Sequence, residues 1–216
     1  ARFNRLGGTV VASQEIDPAK PLDLTSFLAK AKQGGAQGLY YGGTSATGGC
    51  VVRAQMVGIF GAGEATPFFG GDGIALDPSC IRDAGGNAAG IYATVPTVDA
   101  EQIASARPVI QAFKAAFGRS RDFGPFTMSA YDATGALYEA LDRAIKVARG
   151  NRPFRDEVVT ALGSTTAFQG VTGTFGFDTD GDTTLRMVSI YKPIASSPRM
   201  LWSWVETVDY SAALPY

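Results

Sequence analysis

Apolar positions in the first half of the chain recur in one cycle: a short β-prone run, a glycine-containing turn, an amphipathic stretch, then the next run. Strands that alternate with helices in this way belong to a parallel sheet. Thr9-Val10-Val11-Ala12 is predicted to be a strand. Asp23 then caps a helix whose Leu24, Phe27, Leu28 and Ala31 fall at i, i+3, i+4 and i+7, with Gly34 closing it. Gly38-Leu39-Tyr40-Tyr41 is the next strand, and Val51-Val52 with Met56, Ile59 and Phe60 marks the next helix. Phe68-Phe69 is a third strand, ending in Gly70-Gly71-Asp72-Gly73. Asp77-Pro78 opens a short helix, because a proline at the first helical position lacks only an N–H that has no partner there. Ile91 to Val95 is a fourth strand.

Beyond Val95 the pattern changes to two longer helices, one around Val109 to Phe117 and one from Met128 to Ala148. In the second, Thr134, Tyr138, Leu141, Ile145 and Ala148 form one stripe with Leu137 beside it, and Gly150 is the stop. From Phe168 the chain turns glycine-rich and β-like: Gly173 to Phe177, a polar turn at Asp178 to Asp182, then Met187 to Tyr191 and Leu201 to Val205. The shift near residue 96 and the return near 186 point to two structural units in one chain. At the start, Ala1 to Gly8 reads as the last turn of a helix with a glycine terminator, so the chain is expected to begin mid-domain.

Composition narrows the function more than the fold. The 216 residues are 45% hydrophobic, enough for a substantial core. Charged residues are 18% and sum to a net charge of −1, so there is no basic field to hold a nucleic-acid backbone, and nucleic acid is not an expected partner. Apolar stretches stop well short of the roughly 20 residues that span a bilayer, and the chain is expected to be soluble. Histidine is absent, which removes the commonest general base and the commonest transition-metal ligand. Cys50 and Cys80 cannot make a four-cysteine metal site, and both a disulfide and two half-buried thiols remain open for them. No metal and no cofactor are expected.

Two loops carry the candidate chemistry. Gly70-Gly71-Asp72-Gly73 follows a strand at the edge where open parallel sheets place ligands, and a carboxylate there can hold an ammonium group while flanking glycines admit close backbone approach. Tyr41-Gly42-Gly43-Thr44-Ser45-Ala46-Thr47-Gly48-Gly49 follows the preceding strand and should open onto the same edge, with hydroxyls and backbone N–H groups for the polar parts of a small ligand. A solvated turn and a flexible connector are the plain readings of the same residues. Gly61-Ala62-Gly63 lacks the strand-before, helix-after setting of a dinucleotide site. Asp178, Asp180 and Asp182 have the alternation of a calcium loop, yet Thr183 and Ser189 stand where that loop needs Gly and Glu, so a hairpin turn is expected. Trp202 and Trp204 are expected in the core.

The pieces also have a familiar order. Leu6-Gly7-Gly8-Thr9-Val10-Val11, Tyr40-Tyr41-Gly42-Gly43, Gly70-Gly71-Asp72-Gly73 and Ala89 to Thr94 are followed by Tyr131-Asp132-Ala133 and Gly170-Val171-Thr172-Gly173. Together they resemble the substrate-binding proteins of branched-chain amino acid ABC transporters, the type I periplasmic-binding or extracellular ligand-binding receptor family, across essentially the whole chain. The resemblance implies an α/β fold, a parallel sheet flanked by helices, with two lobes joined by three crossovers and a small solute closed between them by hinge motion. It further implies a location outside the cell membrane, in the periplasm or lipid-anchored, and delivery to the membrane permease of an ABC importer. Residues 1–95 and 186–216 would be the second lobe, near-complete, and 96–185 the late part of the first, whose N-terminal part is absent. The family's acidic partner for the ammonium group falls on Asp72. Its aromatic after Tyr-Gly-Gly falls on Thr44, a departure that admits a larger or more polar solute. Phe126 matches an aromatic position near the cleft.

The reading is therefore a binding protein and not an enzyme, with Asp72, Gly43, Thr44, Ser45 and Phe126 as ligand residues for an amino acid or similar small polar solute. A ligand-sensing domain of a receptor with the same fold is the first alternative. A nucleotide-dependent α/β enzyme is the second, disfavoured by the lack of a phosphate loop, a histidine and paired carboxylates. If the 216 residues stand alone, the incomplete lobe should be covered by homodimerisation or strand exchange. Light scattering of this polypeptide should then show a dimer or larger species; a strict monomer that binds no hydrophobic dye would speak against it.

Overall fold

A computed structural model describes residues 2–17, 19–20, 22–118, 123–196 and 199–212. The chain forms two compact units: Ala1–Val95 with Ile190–Glu206, and Pro96–Ser189 with Thr207–Tyr216. Among the described residues no helix is long and apolar enough to cross a membrane.

The first unit opens with the short helix α1 (Arg2–Arg5), then α2 (Thr25–Gln33), β1 (Leu39–Tyr41), α3 (Gly49–Phe60), β2 (Phe68–Gly70), α4 (Pro78–Asp83) and β3 (Ile91–Val95). The later strands β6 (Met187–Ser196) and β7 (Arg199–Asp209) complete a five-stranded sheet in the order β1-β2-β3-β6-β7. β1, β2 and β3 run parallel, with Tyr41 opposite Gly70 and Gly70 opposite Ala93. Tyr41, Phe68, Ile91, Ala93, Val95 and Tyr191 are buried with Leu28 of α2, Val52 and Met56 of α3 and Cys80 of α4. The alternate positions Tyr40, Phe69 and Tyr92 lie side by side on the other face, Tyr40 and Phe69 exposed.

Two expectations fail in this unit. Residues 9–12 form no strand, and Val10 and Val11 are exposed. Although β1 ends the sheet with an open edge, residues 9–12 pair with no strand among the described residues, and β-propensity without a ladder does not make a strand. Trp202 packs against the core and donates its indole N–H to the Asp77 carbonyl at 2.9 Å, but Trp204 is exposed. Burial on one side of β7, the other end strand, does not extend two residues further.

A buried cation organises the amino-terminal side of the sheet. Arg53 of α3 is completely inaccessible, and its guanidinium donates to Asn87 O at 3.1 Å, Thr66 O at 3.0 Å, Gly63 O at 2.7 Å and Ala89 O at 2.5 Å. Residues 63–66 lead into β2 and residues 87–89 into β3. Gly90 has φ +83°, and a Cβ there would lie 2.3 Å from Gly63 O and 2.8 Å from the Arg53 Nη2, so the approach requires glycine.

In the second unit, α5 (Arg107–Phe117), α6 (Thr127–Val147) and α7 (Arg155–Gly163) precede a small antiparallel pair, β4 (Phe168–Gln169) and β5 (Thr174–Phe175). Ile110 of α5 and Met128 of α6 are buried with Ala100 and Ala106. The expected stripe of α6 is not the buried one: Tyr138 and Leu137 are exposed, and Met128, Asp132, Ala136, Ala140 and Ala144 are buried at every fourth position. α7 lies close against α6, where Arg143 donates to Ala161 O and Thr165 Oγ1, each at 2.8 Å, and small residues suit that approach. Asp132 is buried because its carboxylate accepts the N–H groups of Val171 and Thr172, each at 2.8 Å, and the Thr172 hydroxyl at 2.5 Å. Asp178 accepts the N–H groups of Asp180 and Asp182 and pairs with Arg186 at 2.7 Å, closing the polar turn as a hairpin.

Arg53→Met removes the donor of four backbone carbonyl oxygens that line a buried site and should destabilise the protein by at least about 3 kcal/mol, measured by urea unfolding. A loss below about 1 kcal/mol would show that water replaces the guanidinium.

Candidate functional site

Because β1, β2 and β3 are parallel and in register, their carboxyl ends share one edge of the first unit. The loops leaving β1 and β2 meet there. The Ser45 N–H donates to Gly73 O at 2.9 Å. A Cβ on Gly73 would fall 2.6 Å from Gly43 O and about as close to Thr44 as atoms can come, at 3.0 Å, so only glycine lets the loops touch. The structure thus brings Gly43, Thr44, Ser45 and the Asp72 loop together.

The β1 loop is held in a defined shape from below. Residues Ser45–Thr47 make a single 3-10 turn in which Thr47 N–H donates to Thr44 Oγ1 at 3.2 Å and Thr44 N–H donates to Thr47 Oγ1 at 3.0 Å. The buried Tyr41 hydroxyl donates to Thr47 O at 2.7 Å and lies 2.9 Å from Thr47 Oγ1. Thr47, expected among the hydroxyls that receive polar parts of a ligand, is engaged in holding the loop.

The individual candidates are placed differently. Asp72 is exposed, and its carboxylate has no hydrogen bond or ion pair among the described residues. Thr44 is exposed beside it in the neighbouring loop. Ser45 points inward: its hydroxyl is buried and makes no hydrogen bond of good geometry. It nevertheless faces the Asp77 carboxylate closely enough to act on it. Burial raises the Asp77 pKa, but the Ser79 hydroxyl at 2.7 Å, Ser45, the Ser79 N–H at 2.8 Å and the Arg82 charge together hold it below the ordinary 3.8. Phe126 belongs to the second unit, at the residue before α6, and is exposed.

Cys50 and Cys80 are joined by a disulfide with Cα atoms 5.0 Å apart, both side chains buried. It ties the first turn of α3, just after the β1 loop, to α4, just after the β2 loop. Tyr41 and Trp202 complete the support; the sequence placed Tyr41 at the head of the candidate loop without a bracing role, and Trp202 only in the core. Both look like ordinary strand aromatics, and only their polar ends distinguish them.

Replacing both Cys50 and Cys80 with serine should lower stability by about 3–4 kcal/mol, from the chain entropy of a loop of this length. Urea unfolding with and without reductant checks it: wild type should shift on reduction and the double variant should not.

Comparison with known proteins shows the family and the fold. The family model described as "Periplasmic binding protein" matches residues 1–193. The Leu/Ile/Val-binding protein homolog 1 of Brucella abortus is 31% identical over 191 residues, covering 88% of this chain and 47% of that protein. A leucine-binding protein from Thermotoga maritima superposes with a TM-score of 0.71 at 19% identity over 96% of this chain and 54% of its own. An ABC transporter solute-binding protein of R. palustris in complex with 4-hydroxybenzoate does so with a TM-score of 0.70 at 14% identity over 95% and 54%. The chain therefore spans about half the length of the curated relatives it matches. The fold is the type I periplasmic-binding fold, and the chain belongs to the periplasmic binding protein family.

Proposed function

We propose that this chain carries one side of the solute site of an extracytoplasmic binding protein serving an ABC importer, with an amine-bearing small polar solute, such as an amino acid, as its ligand. The first unit acts as the second lobe and the second unit as the late part of the first. The observation that carries the reading is the exposed Asp72 carboxylate, without a partner among the described residues, on a loop tied to the β1 loop by the Ser45 N–H. A free carboxylate on a rigid backbone is preorganised for an ammonium group and loses little freedom on binding it.

Thr44 adds the second element. Its exposed Oγ1 accepts the Thr47 N–H at 3.2 Å and lies 3.4 Å from Thr47 Oγ1, a long contact from which an acceptor on the solute can draw its proton. A threonine here also removes an apolar wall, in favour of a solute more polar than a branched-chain amino acid. Gly43 offers close backbone approach, and Ser45 keeps the two loops in contact. The chemistry is capture and not catalysis, followed by handover to a membrane permease. The Cys50–Cys80 disulfide suits an oxidising compartment outside the cell membrane.

A thermal-shift screen of the full-length protein against amino acids, amides, carboxylates and aromatic acids tests the reading, since a solute that binds only the native state raises its apparent stability. An amine-bearing solute should raise Tm, and Asp72→Ala should weaken its binding about tenfold or more. Shifts confined to aromatic acids and indifferent to Asp72→Ala would keep the family and overturn the site.

A further inference from the structure

The chain passes between its two units at three places: between Val95 and Pro96, between Ser189 and Ile190, and between Glu206 and Thr207. Each passage has a hydroxyl-bearing residue within two positions of it, Thr97, Ser189 and Thr207, all on the second unit's side. Ser189 is fully buried in β6. Its hydroxyl donates to the Thr97 carbonyl at 2.8 Å and lies 2.8 Å from Thr207 Oγ1. A serine hydroxyl has one proton, so with that proton on the Thr97 carbonyl, Thr207 must donate to Ser189. The bonds therefore run in one direction, from Thr207 through Ser189 to Thr97. Beyond them the Thr97 hydroxyl meets Ser129 Oγ of α6 at 2.7 Å.

One buried oxygen thus joins three segments that lie 92 and 18 residues apart in sequence. Backbone ladders alone would let each passage bend by its own small changes in φ and ψ. A shared buried hydrogen-bond node removes that independence, because moving one segment alone breaks at least one of its hydrogen bonds. We propose that Ser189 is a positioning residue, the pin of a three-segment hinge that makes the passages bend together about one point. This inference rests on the proposed function insofar as the motion it controls is the closure that captures a solute.

The test uses the full-length protein with Ser189→Ala, Thr207→Val and Thr207→Ser. Hydrogen exchange of peptides covering residues 94–98, 187–191 and 205–209 is measured without solute, and solute dissociation is followed by stopped flow. Ser189→Ala and Thr207→Val should speed exchange about three- to tenfold in all three segments and change the dissociation rate by a similar factor, whereas Thr207→Ser, which keeps the hydroxyl, should match wild type. The informative segment for Thr207→Val is 94–98, which is linked to Thr207 through Ser189. Faster exchange confined to the substituted segment, or no change in any, overturns the hinge pin. If the wild type binds no solute in the screen, the proposed function falls by itself, and the coupled exchange still decides the role of Ser189. If Ser189→Ala fails to fold, the Thr207 pair decides it.

Discussion

The architecture of the first unit depends on how a buried guanidinium is satisfied. Among the described residues Arg53 has no carboxylate partner; its charge is offset by the carbonyl oxygens of Gly63, Thr66, Asn87 and Ala89. Taking a cation out of water is costly, and burial lowers the pKa of this one, so the site holds only if the carbonyls are held at hydrogen-bond distance. That requirement fixes the turns that lead into β2 and β3 against α3. The amino ends of the strands are set in this way, and the strand register carries the order to their carboxyl ends, where the two glycine loops emerge.

α3 links the two ends. Cys50 in its first turn forms the disulfide to α4, and Arg53, one turn later, gathers the turns on the far side of the sheet. Between them the helix is held at both ends of the strands it covers, and the β1 loop, which runs directly into α3, inherits that rigidity. Asp72 then stands exposed on a loop whose neighbours cannot move apart without breaking the Ser45–Gly73 hydrogen bond or disturbing the Tyr41–Thr47 contact. A ligand site built on such a frame needs little ordering on binding.

The second unit solves the same problem with the opposite charge. Asp132 sits on the buried stripe of α6 and accepts two N–H groups and a hydroxyl from residues 171 and 172, so a loop is bound to a helix by a carboxylate as the turns of the first unit are bound by a guanidinium. In both units the buried charge is matched to backbone and not to an opposite charge. The Tyr131-Asp132-Ala133 and Gly170-Val171-Thr172-Gly173 segments are thereby bonded to each other.

The periodicity of apolar residues was enough to determine the alternation of helices and strands from Leu24 to Val95, the two long helices after it, and the meeting of two glycine loops at one sheet edge. These follow from local rules: helical spacing of Leu24, Leu28 and Ala31, glycine and proline at turns, and parallel order once strands and helices alternate. What the tertiary structure alone decided depends on partners distant in sequence. Residues 9–12 have strand composition but no ladder. The larger apolar residues of α6 face outward because a close helix and a satisfied aspartate take the inner side. Arg53 reads as an ordinary surface arginine, and the one local sign of its burial is that it shares a helical face with Cys50 and Met56. Ser45 and Thr47 read alike as hydroxyls for a ligand, yet one turned inward and the other came to brace its loop. A side chain's polarity is local, but whether it meets water, a carbonyl or a ligand is set by the segments that fold over it.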